Sequence, residues 1–252
     1  MNKITAVIIT KNEEANIGRC LKSIAWVDEI IVVDTASTDR TRQIASETGA
    51  AIYNVEWQGF GHAKGFGVEK ATHEWILSLD ADEEITAQLA AEIKRIISEN
   101  RSENGFKIPR RTSFLGRWIK YSRWYPDYVL RLFRKTSGKF NDSLVHEKVI
   151  VEGTVGKLQN PILHYSYPDI ETYFNKFEKY TSLAAQELYN KGKKFHVAAL
   201  IFKPIASFFR HYVTGLGFLD GIEGFLIAVL SAFGVVTRYV KLRSLEKAAR
   251  HD

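Results

Sequence analysis

Asp80 and Asp82 stand two residues apart after the apolar run 76–79, and Glu83 and Glu84 follow directly. Carboxylates at that spacing, at the mouth of a buried strand, can hold a hard divalent cation, Mg²⁺ or Mn²⁺. Such an ion takes one or two protein carboxylates, keeps several waters and accepts its other oxygens from a diphosphate. It then stabilises the phosphate that leaves. Acid pairs of this kind also occur in solvated turns, so context must decide. A second acidic turn supplies that context in 34–39, DTASTD. There Asp34 closes another apolar run, Ser37 or Thr38 can cap the helix that follows, and Asp34 can accept from a base or ribose hydroxyl. Arg131 and Arg134 lie at strand spacing among Leu130, Leu132 and Phe133, where they can face anionic groups or line a solvated edge.

Short runs rich in β-branched and aromatic residues at 4–10, 29–34, 51–56 and 75–79 predict buried strands. Between them come helical spacings: Ile17, Leu21 and Ile24, then 38–48, then 60–72. Strand and helix alternate, which predicts a mostly parallel sheet with helices on both faces and a ligand beyond the carboxyl ends of the strands. The strands end in polar residues: Thr10, Lys11, Asn12 and Glu13, then Asp34, then Asp80 and Asp82. A helix over 86–98 follows, with Leu89, Ile93, Ile96 and Ile97 on one face and Thr86 as its cap. The stretch 104–167 is less regular, with strand-like pieces at 105–109, 128–134 and 145–155 and many Trp, Tyr and Arg. From 169 onward the pattern is helical. The expected division is a catalytic domain over 1–167, with halves 1–103 and 104–167, and a helical region over 168–252.

At 252 residues the chain can bury a core without covalent staples, and its one cysteine, Cys20, falls among Ile17, Leu21 and Ile24 as a packed thiol would. A formal charge of +6 suits a nucleic acid, an anionic membrane face or a phosphorylated substrate. The run 4–9 is too short for a signal-peptide core, so a cytosolic chain is expected. Gly59, Gly61 and Gly65 have the wrong spacing for a dinucleotide fingerprint and come late. In the tail, 224–237 carries no charge but is too short for an ordinary spanning helix. Upstream, Phe202, Ile205, Phe208 and Phe209 mix with Lys203, Arg210 and His211, which suits a helix lying at an anionic lipid interface. Packing on the catalytic domain or pairing in a dimer would use the same pattern.

Taken in order, AVIITKNEE, IIVVDTASTDRT and HEWILSLDADEEI resemble the family two glycosyltransferases, which have the GT-A nucleotide-diphospho-sugar transferase fold, Rossmann-like α/β. The resemblance continues through RWYPDYVLRLFRK, SLVHEKV and GLGFLDGIEGFL. Within the family it is similar to the bacterial β-1,4-glucosyltransferases of the lipopolysaccharide inner core. It implies that Thr10, Asn12, Glu13 and Asp34 surround the base and ribose, and that Asp80 and Asp82 lie at the diphosphate and metal, with Asp82 the direct metal ligand and Asp80 nearer the ribose or a metal-bound water. Lys64 would meet phosphate charge, or be a solvated helix lysine. The implied reaction inverts the anomeric centre and needs one base, for which Asp127 and Glu147 are the candidates. Pro126 stands where many relatives carry a glutamate. His146 is a further metal ligand or a structural histidine, and Arg131 belongs to the donor side. Trp118, Trp124 and Tyr125 stack on sugar rings or fill core. The expected partners are UDP-glucose, a lipid-linked glycan acceptor bearing heptose and the inner-leaflet membrane surface, with no nucleic acid. The alternatives are a non-catalytic nucleotide-binding membrane-adaptor protein, which has no need of a base, and a glycosyltransferase acting on another cell-surface glycan.

Overall fold

The structure, a computed structural model, describes residues 2–99, 101–140 and 149–249. The chain forms two compact units: Met1–Arg111 with Asp127–Tyr165, and Thr112–Pro126 with Ser166–Asp252. The stretch 104–167 contributes to both.

In the first unit β1 (Ile4–Thr10) lies between β2 (Glu29–Asp34) and β4 (Trp75–Asp80), all parallel, with β3 (Ala51–Asn54) outside β2. Every residue of β1 is buried. Its alternate side chains feed two cores: Ile4, Ala6 and Ile8 join one, Val7 and Ile9 the other. A strand covered on both faces has no polar alternation, which is why it reads as a continuous apolar run. The first core is closed by α1 (Ile17–Ser23) and α4 (Ala87–Ser98), the second by α3 (Phe60–Lys70), while α2 (Thr41–Ser46) joins β2 to β3. Thr86 caps α4 by accepting from the Leu89 amide at 3.1 Å. Cys20 is fully buried, and burial, followed by the nearby charges of Glu83, Asp82 and Asp80, pushes its thiol well above the ordinary range.

Beyond β4 the sheet changes direction. Its order runs β3-β2-β1-β4-β8-β6-β12-β5, with β5 (Glu83–Ile85), β6 (Gly105–Phe114), β8 (Asp127–Arg134) and β12 (Ile162–Tyr167). The pairs β4–β8, β6–β8 and β5–β12 are antiparallel. The mostly parallel sheet expected from the alternation therefore holds for its first half, where helices provide the crossovers that parallel pairing requires. Among the described residues after α4 no helix intervenes before β12. The piece expected at 145–155 contains β10 (Val149–Val151), paired with β9 (Gly138–Phe140), and the first residue of β11 (Val155–Lys157). Gly153, at φ +94°, breaks it between the two.

The second unit holds β7 (Arg117–Trp118) and three helices, α5 (Ile170–Asn190), α6 (Val197–Tyr212) and α7 (Gly221–Ala248), the last preceded by a 3₁₀ turn over Gly217–Asp220. The motif GLGFLDGIEGFL is a packing device. Asp220, 2% exposed, accepts from the amides of Lys120 and Tyr121 at 3.0 and 2.9 Å and from the Ser122 hydroxyl at 3.3 Å. A Cβ on Gly224 would lie 1.8 Å from the Gly217 carbonyl oxygen, so only glycine permits the approach. The helix also runs well past the uncharged stretch 224–237. Gly217–Ala248 is long and apolar enough to cross a bilayer, and 22% of its most apolar stretch is buried. Helical continuity carries the span beyond what an uncharged run alone suggests.

Gly67 of α3 lies against the sheet, where a Cβ would stand 2.4 Å from Val7 Cγ1 and 3.0 Å from Val33 Cγ2. Gly65, on the same helix, has nothing within 4 Å. Alanine for glycine favours a helix by about 1 kcal/mol, whereas overpacking costs roughly 1–3 kcal/mol. Gly67→Ala is therefore expected to lower stability in urea unfolding while Gly65→Ala holds or raises it. Equal effects of the two would show that α3 does not touch the sheet at Gly67.

Candidate active site

Parallel register sets the first half of the site. Thr10 pairs with Asp34 and Ile9 with Asp80, so the ends of β2, β1 and β4 stand side by side. The turns beyond them are tied together. Asp34, fully buried, accepts from the Ser37 amide at 3.0 Å and from the Ser37 hydroxyl. Ser37 Oγ in turn accepts from the Asn12 amide at 2.9 Å, the Thr38 amide donates to Asn12 Oδ1 at 2.8 Å, and the Glu13 amide donates to Thr41 Oγ1 at 2.8 Å. Asn12 (φ +54°) and Ala36 (φ +68°) hold left-handed backbone, the conformation asparagine tolerates better than most residues. Thr10, Asn12, Glu13 and Asp34 thus form one polar margin. Within it Thr10 Oγ1 is buried with no hydrogen-bond partner.

Charge organises the second half. Lys64, 2% exposed, reaches Asp80 Oδ1 at 2.9 Å, so the solvated alternative for this lysine does not hold. Arg131 contacts Asp80 Oδ2 and stands 2.6 Å from Glu83 Oε1. Glu83 is 1% exposed, accepts from the Asp80 amide at 3.0 Å and lies 3.5 Å from Arg110. Arg110 then donates to Asp127 Oδ2 through Nη2 at 2.7 Å and Nε at 3.1 Å. The result is an alternating ladder, Lys64, Asp80, Arg131, Glu83, Arg110, Asp127. Burial alone would raise the Asp80 pKa, but the charges of Arg131 and Lys64 outweigh it and hold the carboxyl well below the usual carboxylate range. Burial would also lower the pKa values of Arg131 and Arg110, yet Asp80 and Glu83 raise the first, and Glu83 and Asp127 raise the second.

Asp82 lies to one side of the ladder, 3.3 Å from His164 Nε2 on β12. Its backbone carbonyl accepts from the Tyr165 amide at 2.9 Å. Among the described residues no three His, Cys, Asp or Glu side chains gather as a metal cluster. A hard cation that takes diphosphate oxygens needs only one or two protein ligands, and the Asp82 carboxylate is a fitting oxygen donor, with the His164 imidazole beside it. Asp80 differs, because both of its oxygens already face cations. Asp127 is half-exposed, and only its Oδ2 is bound by Arg110. His146 and Glu147 lie outside the described residues. Arg134 pairs with Glu74, away from the ladder. Trp124 packs against Phe114 and Tyr167 in the second unit.

Glu83, Arg110 and His164 were not singled out from sequence. Glu83 sits in the acidic cluster, but its pairing with Arg131 and Arg110 depends on β8 lying next to β4 and β6 next to β8. Arg110 pairs in register with Asp127 across β6 and β8, 17 residues apart in the chain. His164 meets Asp82 through the β5–β12 pairing, which places it opposite Glu83.

The model of the family "Glycosyl transferase family 2" matches residues 5–150. An uncharacterized glycosyltransferase of Rickettsia typhi is 32% identical over 100% of this chain and 90% of its own length. The lipopolysaccharide core biosynthesis glycosyltransferase LpsC of Rhizobium meliloti is 29% identical over 94% of this chain and 93% of its own. Among solved structures, S. aureus TarS 1–349 in complex with UDP-GlcNAc superposes with a TM-score of 0.51 at 16% identity, covering 99% of this chain and 92% of that one. The last likeness establishes the GT-A fold.

Asp80 has a sign that can be checked. A depressed folded-state pKa stabilises fully above the unfolded value of about 4, and that contribution fades as pH falls through the lower folded value. The stability gap between the natural chain and Asp80→Asn, read from urea unfolding, is expected to be the same at about pH 7 and about pH 5 and to narrow toward roughly pH 3. Narrowing already between the two higher values would show that the two cations do not hold this carboxyl.

Proposed function

This chain belongs to glycosyl transferase family 2, and we propose that it moves a hexose, glucose from UDP-glucose, onto a heptose of a lipid-linked lipopolysaccharide inner-core acceptor, with inversion. The observation that carries the reading is the ladder from Lys64 to Asp127, set beside a polar margin whose Thr10 hydroxyl is buried without a partner. An orphaned hydroxyl and a row of fixed charges suit a ligand with both a ribose and a diphosphate. The choice of acceptor rests on the motifs 123–135 and 215–226 and on the likeness to LpsC.

In this reading Thr10, Asn12, Glu13 and Asp34 orient the nucleoside, while Lys64 and Arg131 give the diphosphate a positive wall. A bound Mg²⁺ or Mn²⁺, held by Asp82 with His164, would supply charge neutralisation at the departing phosphate. Asp127 Oδ1 accepts the proton of the acceptor hydroxyl as that oxygen bonds to the anomeric carbon, and the bond from that carbon to the diphosphate breaks on the opposite face. The products are an inverted glycoside and UDP. Arg110 orients Asp127 for this step by holding its other oxygen.

The second unit would lie at the cytoplasmic face of the inner membrane. Val197, Ile201, Phe202, Ile205 and Phe209 on α6 are all more than half exposed, a bare stripe at helical spacing with basic residues nearby. The helices over 168–252 are accordingly proposed as the membrane-associated region.

Donor hydrolysis measured across several nucleotide sugars, with and without EDTA, tests the assignment. UDP-glucose is expected to be turned over fastest, chelation and Asp82→Ala to abolish turnover, and Asp127→Asn to reduce kcat by roughly 10²–10⁴-fold with folding retained. Turnover that survives both chelator and Asp82→Ala rejects the metal role; full activity in Asp127→Asn removes Asp127 as the base.

A further inference from the structure

Between α5, α6 and α7 lies a cavity of about 340 Å³. Tyr167, Tyr173 and Phe177 are among its lining, and Ser207 and His211 of α6 and Arg238 of α7 supply polar groups. The lining contains no carboxylate. Arg238 Nε is buried with no hydrogen-bond partner, and its guanidinium lies 5.7 Å from the Tyr239 ring. Among the described residues it has no acidic counterion. The nearby Lys241, by contrast, is matched to Glu178 at 2.8 Å. A guanidinium in a partly buried, acid-free cavity lacks the anion that its fork geometry is suited to hold.

The same helices say what kind of anion fits. Ile205 and Phe209 of α6 bracket Ser207 in sequence, and both are more than half exposed; Phe233 of α7, next to cavity-lining Gly234, is 50% exposed. Ser207 and His211 of α6 and Ser231 and Arg238 of α7, with Val235 among them, thus line the cavity on helices that also carry bare apolar side chains. Tyrosine rings with one wet edge and an arginine beside them are suited to the headgroup level of a bilayer. We propose that this cavity binds the phosphate of an anionic phospholipid headgroup, with Arg238 as its counterion, the tyrosine rings against the glycerol and the acyl chains against the exposed faces of α6 and α7. The site rests on the membrane reading above and deepens it from a general apolar contact to a specific lipid seat.

Calorimetric titration of the full chain with dihexanoyl phosphatidic acid, a lipid phosphate soluble as a monomer, tests it. Saturable binding is expected, weakened on the order of tenfold in Arg238→Gln and partly retained in Arg238→Lys. Ala184→Leu, which fills the cavity and leaves the charge in place, is expected to weaken binding as well. No binding, unchanged affinity in Arg238→Gln and Ala184→Leu, or equally tight binding of glucose 6-phosphate would overturn the proposal. Sedimentation with neutral phosphatidylcholine vesicles separates the two readings. A chain that sediments with them but ignores the short-chain phosphate loses the lipid seat alone, whereas one that binds the phosphate through Arg238 but not the vesicles keeps the seat and loses the membrane face.

Discussion

A carboxylate with almost no exposure, that of Glu83, is held between the guanidiniums of Arg131 and Arg110, and the candidate site depends on that arrangement. A buried charge is costly unless paired, so Glu83 cannot be sequestered until β8 and β6 deliver both arginines. Those arginines then carry on to Asp80 and Asp127. One ion-paired side chain thereby links the end of the parallel half of the sheet to the antiparallel half. In the proposed reaction it would set the distance between the diphosphate and the proton acceptor.

The ladder is balanced: three cations, Lys64, Arg131 and Arg110, face three carboxylates, Asp80, Glu83 and Asp127. A diphosphate entering such a neutral row brings negative charge that the row does not cancel. A divalent cation at Asp82 and His164 would answer that charge in the proposed reaction, outside the ladder and without disturbing its pairs. The separation of roles between Asp80, which is saturated by cations, and Asp82, which is not part of the row, follows from the strand ending at Asp80 and the turn beginning there.

The two units differ in how they are held. The first has a sheet with both faces covered and two cores built from alternate residues of β1. In the second, no residue of α6 is buried, and the close approach of Gly217 to Gly224, with Asp220 clasping 120–122, does much of the tertiary tying. Large apolar side chains on its helices stay exposed, among them Val197, Phe202 and Phe209 of α6 and Phe233 of α7.

Local pattern alone determined the strands β1, β2 and β4 and the helices α1, α3 and α4 with the Thr86 cap, because buried parallel strands and amphipathic helices write their periodicity directly into the chain, and the resemblance of three motifs pointed to the family. The polar ends of those strands were legible for the same reason, and parallel register then puts Thr10, Asp34 and Asp80 together. Glu83, Arg110 and His164 were decided only by tertiary structure. Their roles come from pairings across β8, β6 and β12, between residues such as Glu83 and Arg131 that stand 48 positions apart, and nothing in local periodicity records which distant strand a residue faces. The burial of Lys64, which sequence left open against a solvated surface position, was likewise settled by the fit of α3 onto the sheet at Gly67.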